Sequence, residues 1–212
     1  MKPAGKRIFQ IGLNRCGTTS LYELFKSSGI PSLHWDSGRI ARSFFSRMER
    51  KEDPFLDYPE NVFFSDMMAI VIAEKKILEA HKHFDYIFEF YPDSYYILNT
   101  RSCENWLKSR WNHLETRERY RECTGLERAG LMDLWRRDWH EHHAQVQDFF
   151  SRKGGKLAVF DIERDPAEKL ARFVAADFRV DPSFYGRHNP SGPSFARRAL
   201  RFAKRKLGMV DR

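Results

Sequence analysis

Apolar positions along the chain switch between two periods, and the switching predicts strands and helices in turn. Residues 7–13, RIFQIGL, read as a buried strand, and residues 14–20, NRCGTTS, as a loop with one glycine. Leu21, Leu24 and Phe25 fall at the i, i+3, i+4 spacing of a core-facing helix over 18–28, which Gly29 can end and Pro31 keeps ended. A short extended piece at 32–35 leads to a helix over about 39–50, with Ile40, Phe44 and Met48 on one face. Residues 53–60 are turn-rich. The pattern then predicts a long apolar-faced helix over 67–83. Pro92, Asp93 and Ser94 turn the chain into its strongest strand, 95–100. Ser102 can cap the next helix, in which Trp106, Arg110 and Leu114 keep helical period. Residues 128–152 carry Leu131, Leu134, Trp139, His142, Val146 and Phe149 at core spacing, and 157–162 read as a strand. Pro166 suits the first position of a helix bearing Leu170, Phe173 and Val174.

Strands alternating with helices predict an α/β fold, a central, mostly parallel β-sheet covered by helices on both faces. A length of 212 residues suits one such domain. The expected division is a domain over 1–190 and a basic, helical tail over 191–212. No apolar run approaches the ~20 residues that span a bilayer. Residues 1–7 are basic and run straight into the first strand, without an apolar signal region. Cys16, Cys103 and Cys123 are an odd number and do not suggest a disulfide framework. These features lead to the expectation of a cytoplasmic protein.

The formal net charge of +8 favours anionic partners. Much of the excess sits in one place: residues 194–206 hold Arg197, Arg198, Arg201, Lys204, Arg205 and Lys206 and no acid. The remainder is close to neutral, which argues against nucleic-acid binding by the whole domain. On a helix, Phe195, Ala199, Phe202 and Ala203 oppose the basic residues, so residues 194–207 either form a solvated or packed terminal helix or dock on an acidic membrane surface or other polyanion, peripherally at the inner membrane face.

The segment Gly12-Leu-Asn-Arg-Cys-Gly17-Thr18-Thr19-Ser20 lies between the first strand and the first helix. A helix N-terminus offers unpaired N–H groups and a positive dipole end to an anion. Gly17 permits close approach of the backbone, and Thr18, Thr19 and Ser20 add hydroxyl donors. The glycine spacing is that of a nucleoside-triphosphatase loop, but Thr18 stands where its lysine would be. No acid ends the strand 95–100, where Asn99, Thr100 and Arg101 stand instead. A Mg-ATP machine is disfavoured on both counts, and Arg15 becomes the cation nearest the cradle. The bland alternative is a strand–helix turn with a hydroxyl-rich cap. Arg101, at the end of a strand, and Ser109, two helical turns later, can pinch a second phosphate; the alternative is a surface ion pair at Arg101 and a solvated Ser109.

Together NRCGTTSLYELF and YPDSYYILNTRSCENWLKS resemble the 5′-phosphosulfate loop and the 3′-phosphate motif of sulfotransferases that use 3′-phosphoadenosine 5′-phosphosulfate (PAPS), most of all the compact bacterial families. SLHW, FFSDMM, LAVFDIERDPAEKLARF and RHNP are weaker echoes, and the resemblance runs over about residues 7–190. It implies a P-loop-like three-layer fold, PAPS as donor, 3′-phosphoadenosine 5′-phosphate (PAP) as product and no metal. Arg15 would contact the 5′-phosphate and sulfo group; Cys16, Gly17, Thr18, Thr19 and Ser20 would line the 5′ site; Arg101 and Ser109 would hold the 3′-phosphate; Arg187 is the candidate for a loop completing the site. The acceptor would bear a hydroxyl on a carbohydrate, glycolipid or small-molecule alcohol.

An acceptor hydroxyl needs a base. His34 is the first candidate, since it follows the first helix in an extended segment and titrates near neutrality. Asp36 and Asp66 come second and third. Each has a plainer alternative: a satisfied core histidine, and caps for helices starting at 39 and 67. His140, His142 and His143 lack a third ligand at metal spacing and read as a polar helix face. Cys16, at a helix N-terminus, reads as a small filler of the loop. The competing functions are a nucleotide kinase or NTPase, and a non-enzymatic basic module that binds membrane or nucleic acid.

Overall fold

The computed structural model describes residues 5–186; the Arg187 position, the expected boundary at 190 and the basic segment 194–207 lie outside the described residues. Five strands form one parallel sheet: β1 (Ile8–Gln10), β2 (Ser32–His34), β3 (Phe63–Ser65), β6 (Tyr95–Thr100) and β7 (Lys156–Asp161). Their spatial order is β2-β3-β1-β6-β7. Register pairs Ile8 with both Phe63 and Tyr95, and Tyr95 with Lys156. The strand order therefore reverses at β1, and the crevice at the C-terminal ends of β1 and β6 is where such sheets bind ligands.

Successive strand residues point to opposite faces, which divides the core in two. Ile8, Phe63, Tyr95 and Ile97 pack against Leu21, Leu24 and Phe25 of α1 (Thr18–Ser27) and Leu170 and Val174 of α7 (Glu168–Val174). Phe9, Phe64, Tyr96 and Leu98 pack on the other face. Their partners are Ile40 and Phe44 of α2 (Arg39–Glu49), Phe84 and Ile87 of α3 (Phe84–Phe90), and Val146 and Phe150 of α6 (Arg128–Lys153). This is the expected three-layer α/β arrangement.

Four local expectations fail, each for a physical reason. Residues 67–83 are no helix but an antiparallel hairpin, β4 (Met68–Val71) with β5 (Lys76–Glu79), flanked by short 3₁₀ turns. The β-branched run Ile70-Val71-Ile72 fits a strand better than a helix, and Lys75 takes the left-handed conformation at the turn. The helix after β6 stops at Trp111: α4 (Cys103–Trp111) and α5 (Leu114–Thr124) are separate, because the His113 side chain accepts from the Thr116 N–H and starts a new helix. Ser102 makes no side-chain cap to α4; Glu163 accepts its N–H instead. Pro166 lies two residues ahead of α7, in a turn where its carbonyl accepts from the Lys169 N–H.

The turn-rich segment 53–60 contributes Phe55, whose ring lies 4.4 Å from that of Phe64 and 5.0 Å from that of Phe9. Fully buried, it holds an irregular segment onto the sheet. Phe55→Ala is expected to cost about 3–5 kcal/mol in urea unfolding, as deletion of a buried aromatic does. A loss under about 1 kcal/mol would mean that the segment does not depend on this contact.

Candidate functional site

The loop from Ile11 to Gly17 is built by its carbonyls. Gln10 Nε2 donates to Gly12 O, Trp106 Nε1 to Asn14 O at 2.8 Å and Asn99 Nδ2 to Cys16 O at 2.6 Å, and Arg101 Nη1 lies 3.5 Å from Arg15 O. In a trans peptide the carbonyl and the next N–H point oppositely. With these four carbonyls turned toward Gln10 of β1, the end of β6 and α4, trans geometry directs the N–H groups that follow them, those of Leu13, Arg15, Cys16 and Gly17, the opposite way. Arg15 (φ 67°) and Gly17 (φ 76°) are left-handed, the alternation that makes a backbone nest for an anion. Gly12 abuts the next strand so closely that a Cβ there would lie 2.2 Å from Asn99 O. His142, buried on α6, bonds to Ile11 O at 2.7 Å and fixes the loop's root; burial lowers its pKa to about 4.

Gln10 does more than hold Gly12. Its Oε1 accepts the Asp66 N–H at 2.9 Å, which ties the end of β3 to the loop. Asp66 is left-handed (φ 51°), as are Trp35 (57°), Asp36 (46°) and Ser37 (55°) after β2. Such conformations cost about 1–3 kcal/mol each and gather where a site imposes them. With Arg15, the strained residues fill the loops after β1, β2 and β3, on one edge of the sheet.

At this edge His34 Nδ1 and Ser65 Oγ are 2.9 Å apart, and Nε2 lies 3.9 Å from Asp66 Oδ2. The Tyr22 ring stacks on the imidazole at 5.3 Å. Burial lowers the His34 pKa, despite the raising effect of Asp66 and Glu23. Burial raises that of Asp66, against the pull of His34, Arg15 and Arg110. Asp36 pairs with the Arg39 side chain at 2.6 Å across the turn into α2, and the helix itself is preceded by Gly38 with no side-chain cap, so Asp36 does not cap it. The acid missing from the end of β6 stands instead at the end of β3, as Asp66. That removes one of the two sequence arguments against a Mg-nucleotide loop; Thr18 in place of lysine stands.

Cys16 is fully buried among Leu13, Met68 and Trp106, and burial pushes its thiol up to about 12. It offers a ligand its N–H, not its sulfur. Thr18 and Ser20 are buried and Thr19 half-buried at the start of α1. Beneath the loop Arg110 is wholly buried, its guanidinium 4.5–4.9 Å from the rings of Tyr120, Trp106 and Trp135 and 3.7 Å from Glu79 Oε1. Glu79 ends β5, so the hairpin delivers this counter-charge.

Arg101 is ion-paired. Its Nε and Nη2 donate to Glu163 Oε1 at 3.2 and 2.9 Å, Asn105 Nδ2 donates to the same oxygen at 2.9 Å, and the Ser102 N–H donates to Oε2 at 3.1 Å. Burial alone would raise the Glu163 pKa, but these donors outweigh it and leave the carboxyl below its usual value. Ser109 is half-buried one turn beyond Asn105 on the same face of α4. Glu163, Asn105 and Ser65 were not among the residues expected from sequence, since their role rests on contacts as distant as 101 with 163.

The frame of the site is thus an α/β sheet with a glycine-bearing, nest-like loop at its switch point and an arginine at the end of the adjacent strand. Residues 7–174 match the sulfotransferase domain family, and the chain belongs to that family. Among solved structures it is similar to a sulfotransferase from Alicyclobacillus acidocaldarius, with 19% identity over 97% of this chain and 94% of that one and a TM-score of 0.49. No curated protein matches it. Among the described residues no three metal-ligating side chains gather, and no helix is long and apolar enough to cross a membrane.

With its pKa lowered by burial, the His34 imidazole takes up its proton at a lower pH than an ordinary histidine does. Asp66→Asn removes a charge that raises this pKa and should lower it further. Nitrogen-detected NMR titration of His34 checks both; a wild-type midpoint above the ordinary value would contradict the burial argument.

Proposed function

We propose that the protein transfers the sulfo group of PAPS to an acceptor hydroxyl and releases PAP. The observation that carries the proposal is the pairing of two anion-gripping sets on one crevice: the N–H groups and Arg15 of the loop, and Arg101 with its helix partners. Arg101 reaches to within 3.5 Å of the Arg15 carbonyl, so the sets are neighbours. The residues fit the donor: the Arg101 set already grips a carboxylate, and the loop carries the left-handed residues Arg15 and Gly17 that a backbone nest requires. Leu13, Arg15, Cys16 and Gly17 N–H groups with Thr18, Thr19 and Ser20 would hold the 5′ end, and Arg101 and Ser109 the 3′-phosphate. When bound, PAPS supplies an activated sulfo group on a phosphate leaving group.

His34 is the proposed base. If Nδ1–H donates to Ser65, Nε2 keeps its lone pair beside Asp66 and can accept a proton. A hydroxyl placed about 2.8 Å from Nε2 can donate its one proton there, with Asp66 Oδ2 3.9 Å from that nitrogen to balance the charge the ring gains. Its proton then passes to Nε2 as the oxygen bonds to sulfur and the bond from sulfur to the phosphate oxygen breaks. Arg15 and the loop N–H groups hold the charge that collects on the departing phosphate. Arginine stays charged throughout and gives up no proton. Fixed donors of this kind suit transfer without a metal, since a sulfo group carries less charge than a phosphoryl group. The proposed acceptor is a carbohydrate, a lipid-linked sugar or a small alcohol. The protein would work in the cytoplasm, where residues 194–207 would draw it to anionic surfaces.

His34→Gln is expected to lower kcat by about 10²–10⁴-fold, the usual weight of general-base catalysis, with PAP affinity little changed. Wild-type turnover in that variant would remove His34 from the role. PAP at a hundred times its Kd should stabilise the fold by about 2.7 kcal/mol in a thermal shift, with or without EDTA. Stabilisation by Mg-ATP and none by PAP would overturn the donor assignment.

A further inference from the structure

Four donors converge on one carboxylate at the place where the proposed function needs a phosphate. Arg101 Nε and Nη2 and Asn105 Nδ2 surround Glu163 Oε1, and the Ser102 N–H, at the N-terminus of α4, holds Oε2. Fork, amide and helix-end N–H make up a recognition set for an oxyanion with more than one oxygen. A surface ion pair would engage the guanidinium alone.

We infer that the Glu163 carboxylate stands in for the 3′-phosphate in the free protein, is exchanged for it when the donor binds, and that Asn105 and the Ser102 N–H are phosphate ligands beside Arg101. The inference rests on the PAPS reading and adds a built-in competitor and two ligands to it. The exchange needs only a side-chain rotation. Glu163 sits in a turn whose backbone is pinned: its own N–H bonds to Asp161 Oδ1 at 2.9 Å, Ile162 N–H to Thr100 O at 2.9 Å, and Asp165 N–H to Asp161 O at 2.8 Å. The carboxylate is already a quarter exposed and can turn to water. A phosphate brings up to two charges and three oxygens against one charge and two, so it wins the same donors. Asn105 and Ser109 lie four apart on one face of α4, so Ser109 can reach the third oxygen once a tetrahedral group replaces the planar one. Affinity for the donor is then set partly by how readily Glu163 yields, and a nucleotide without a 3′-phosphate leaves the carboxylate in place.

Calorimetric titration of PAP and of AMP into wild type, Glu163→Gln, Glu163→Ala and Asn105→Ala tests this. Glu163→Gln should bind PAP about 5–10-fold more tightly, as expected for removing one competing charge-assisted contact, and AMP as wild type does. Glu163→Ala, which removes the amide as well, should shift PAP binding in the same direction. Asn105→Ala should weaken PAP by about 5-fold and leave AMP alone. PAP binding equal to or weaker than wild type in both Glu163 variants would overturn the exchange and leave Glu163 as an orienting partner of Arg101. The donor reading fails separately, if wild type does not prefer PAP to AMP.

Discussion

The site depends on where four peptide carbonyls point. A loop of seven residues after β1 has no regular hydrogen bonding of its own, and its peptide planes are fixed by side chains of neighbouring elements. Gln10, Asn99, Arg101 and Trp106 come from β1, the end of β6 and α4, and each takes or approaches a loop carbonyl. Gln10, Asn99 and Trp106 are buried and Arg101 half-buried, so the sheet and α4 order all four. Since each carbonyl fixes the opposed direction of the following N–H, the cradle is pre-formed. It need not reorganise to receive an anion, which is the condition for strong electrostatic stabilisation.

The rest of the edge is arranged around that cradle at a cost in backbone strain. Left-handed residues at 15, 35, 36, 37 and 66 lie in three successive loops. Gln10 spans two of those loops, through Gly12 O and the Asp66 N–H. His34 and Asp66 are brought together by the parallel pairing of β2 with β3, which sets His34 beside Ser65. Arg110, sealed between three aromatic rings, adds a fixed positive charge below them, with Glu79 as its partner. A buried cation of this kind biases nearby acids toward their charged form without touching a ligand.

Sequence made some of this legible. A strand, a glycine-bearing loop and a helix in direct succession locate the proposed cradle, because a nest of N–H groups is a property of local backbone. Arg101 was visible for the same reason, as a cation ending a strongly periodic strand. The three-residue strand Phe63–Ser65 was invisible, since three residues carry no period. The 67–83 segment misled because its apolar residues serve two different clusters, Met67 above the sheet and Met68 and Ile70 beneath the loop, and so mimic a broad helical face. The Arg101–Glu163 contact and the orientation of Gln10 depend on which strands are neighbours, and topology supplies that information.

The central claim is that the loop with Arg15 and the end of β6 with Arg101 hold opposite ends of one nucleotide. Phosphorus NMR of bound PAP tests it most directly, because the 3′- and 5′-phosphates give separate resonances. Arg15→Gln should displace the bound 5′ resonance and leave the 3′ one in place, and Arg101→Gln should do the reverse. If both substitutions move the same resonance, or either moves neither, the two arginines do not grip the two ends and the account is wrong.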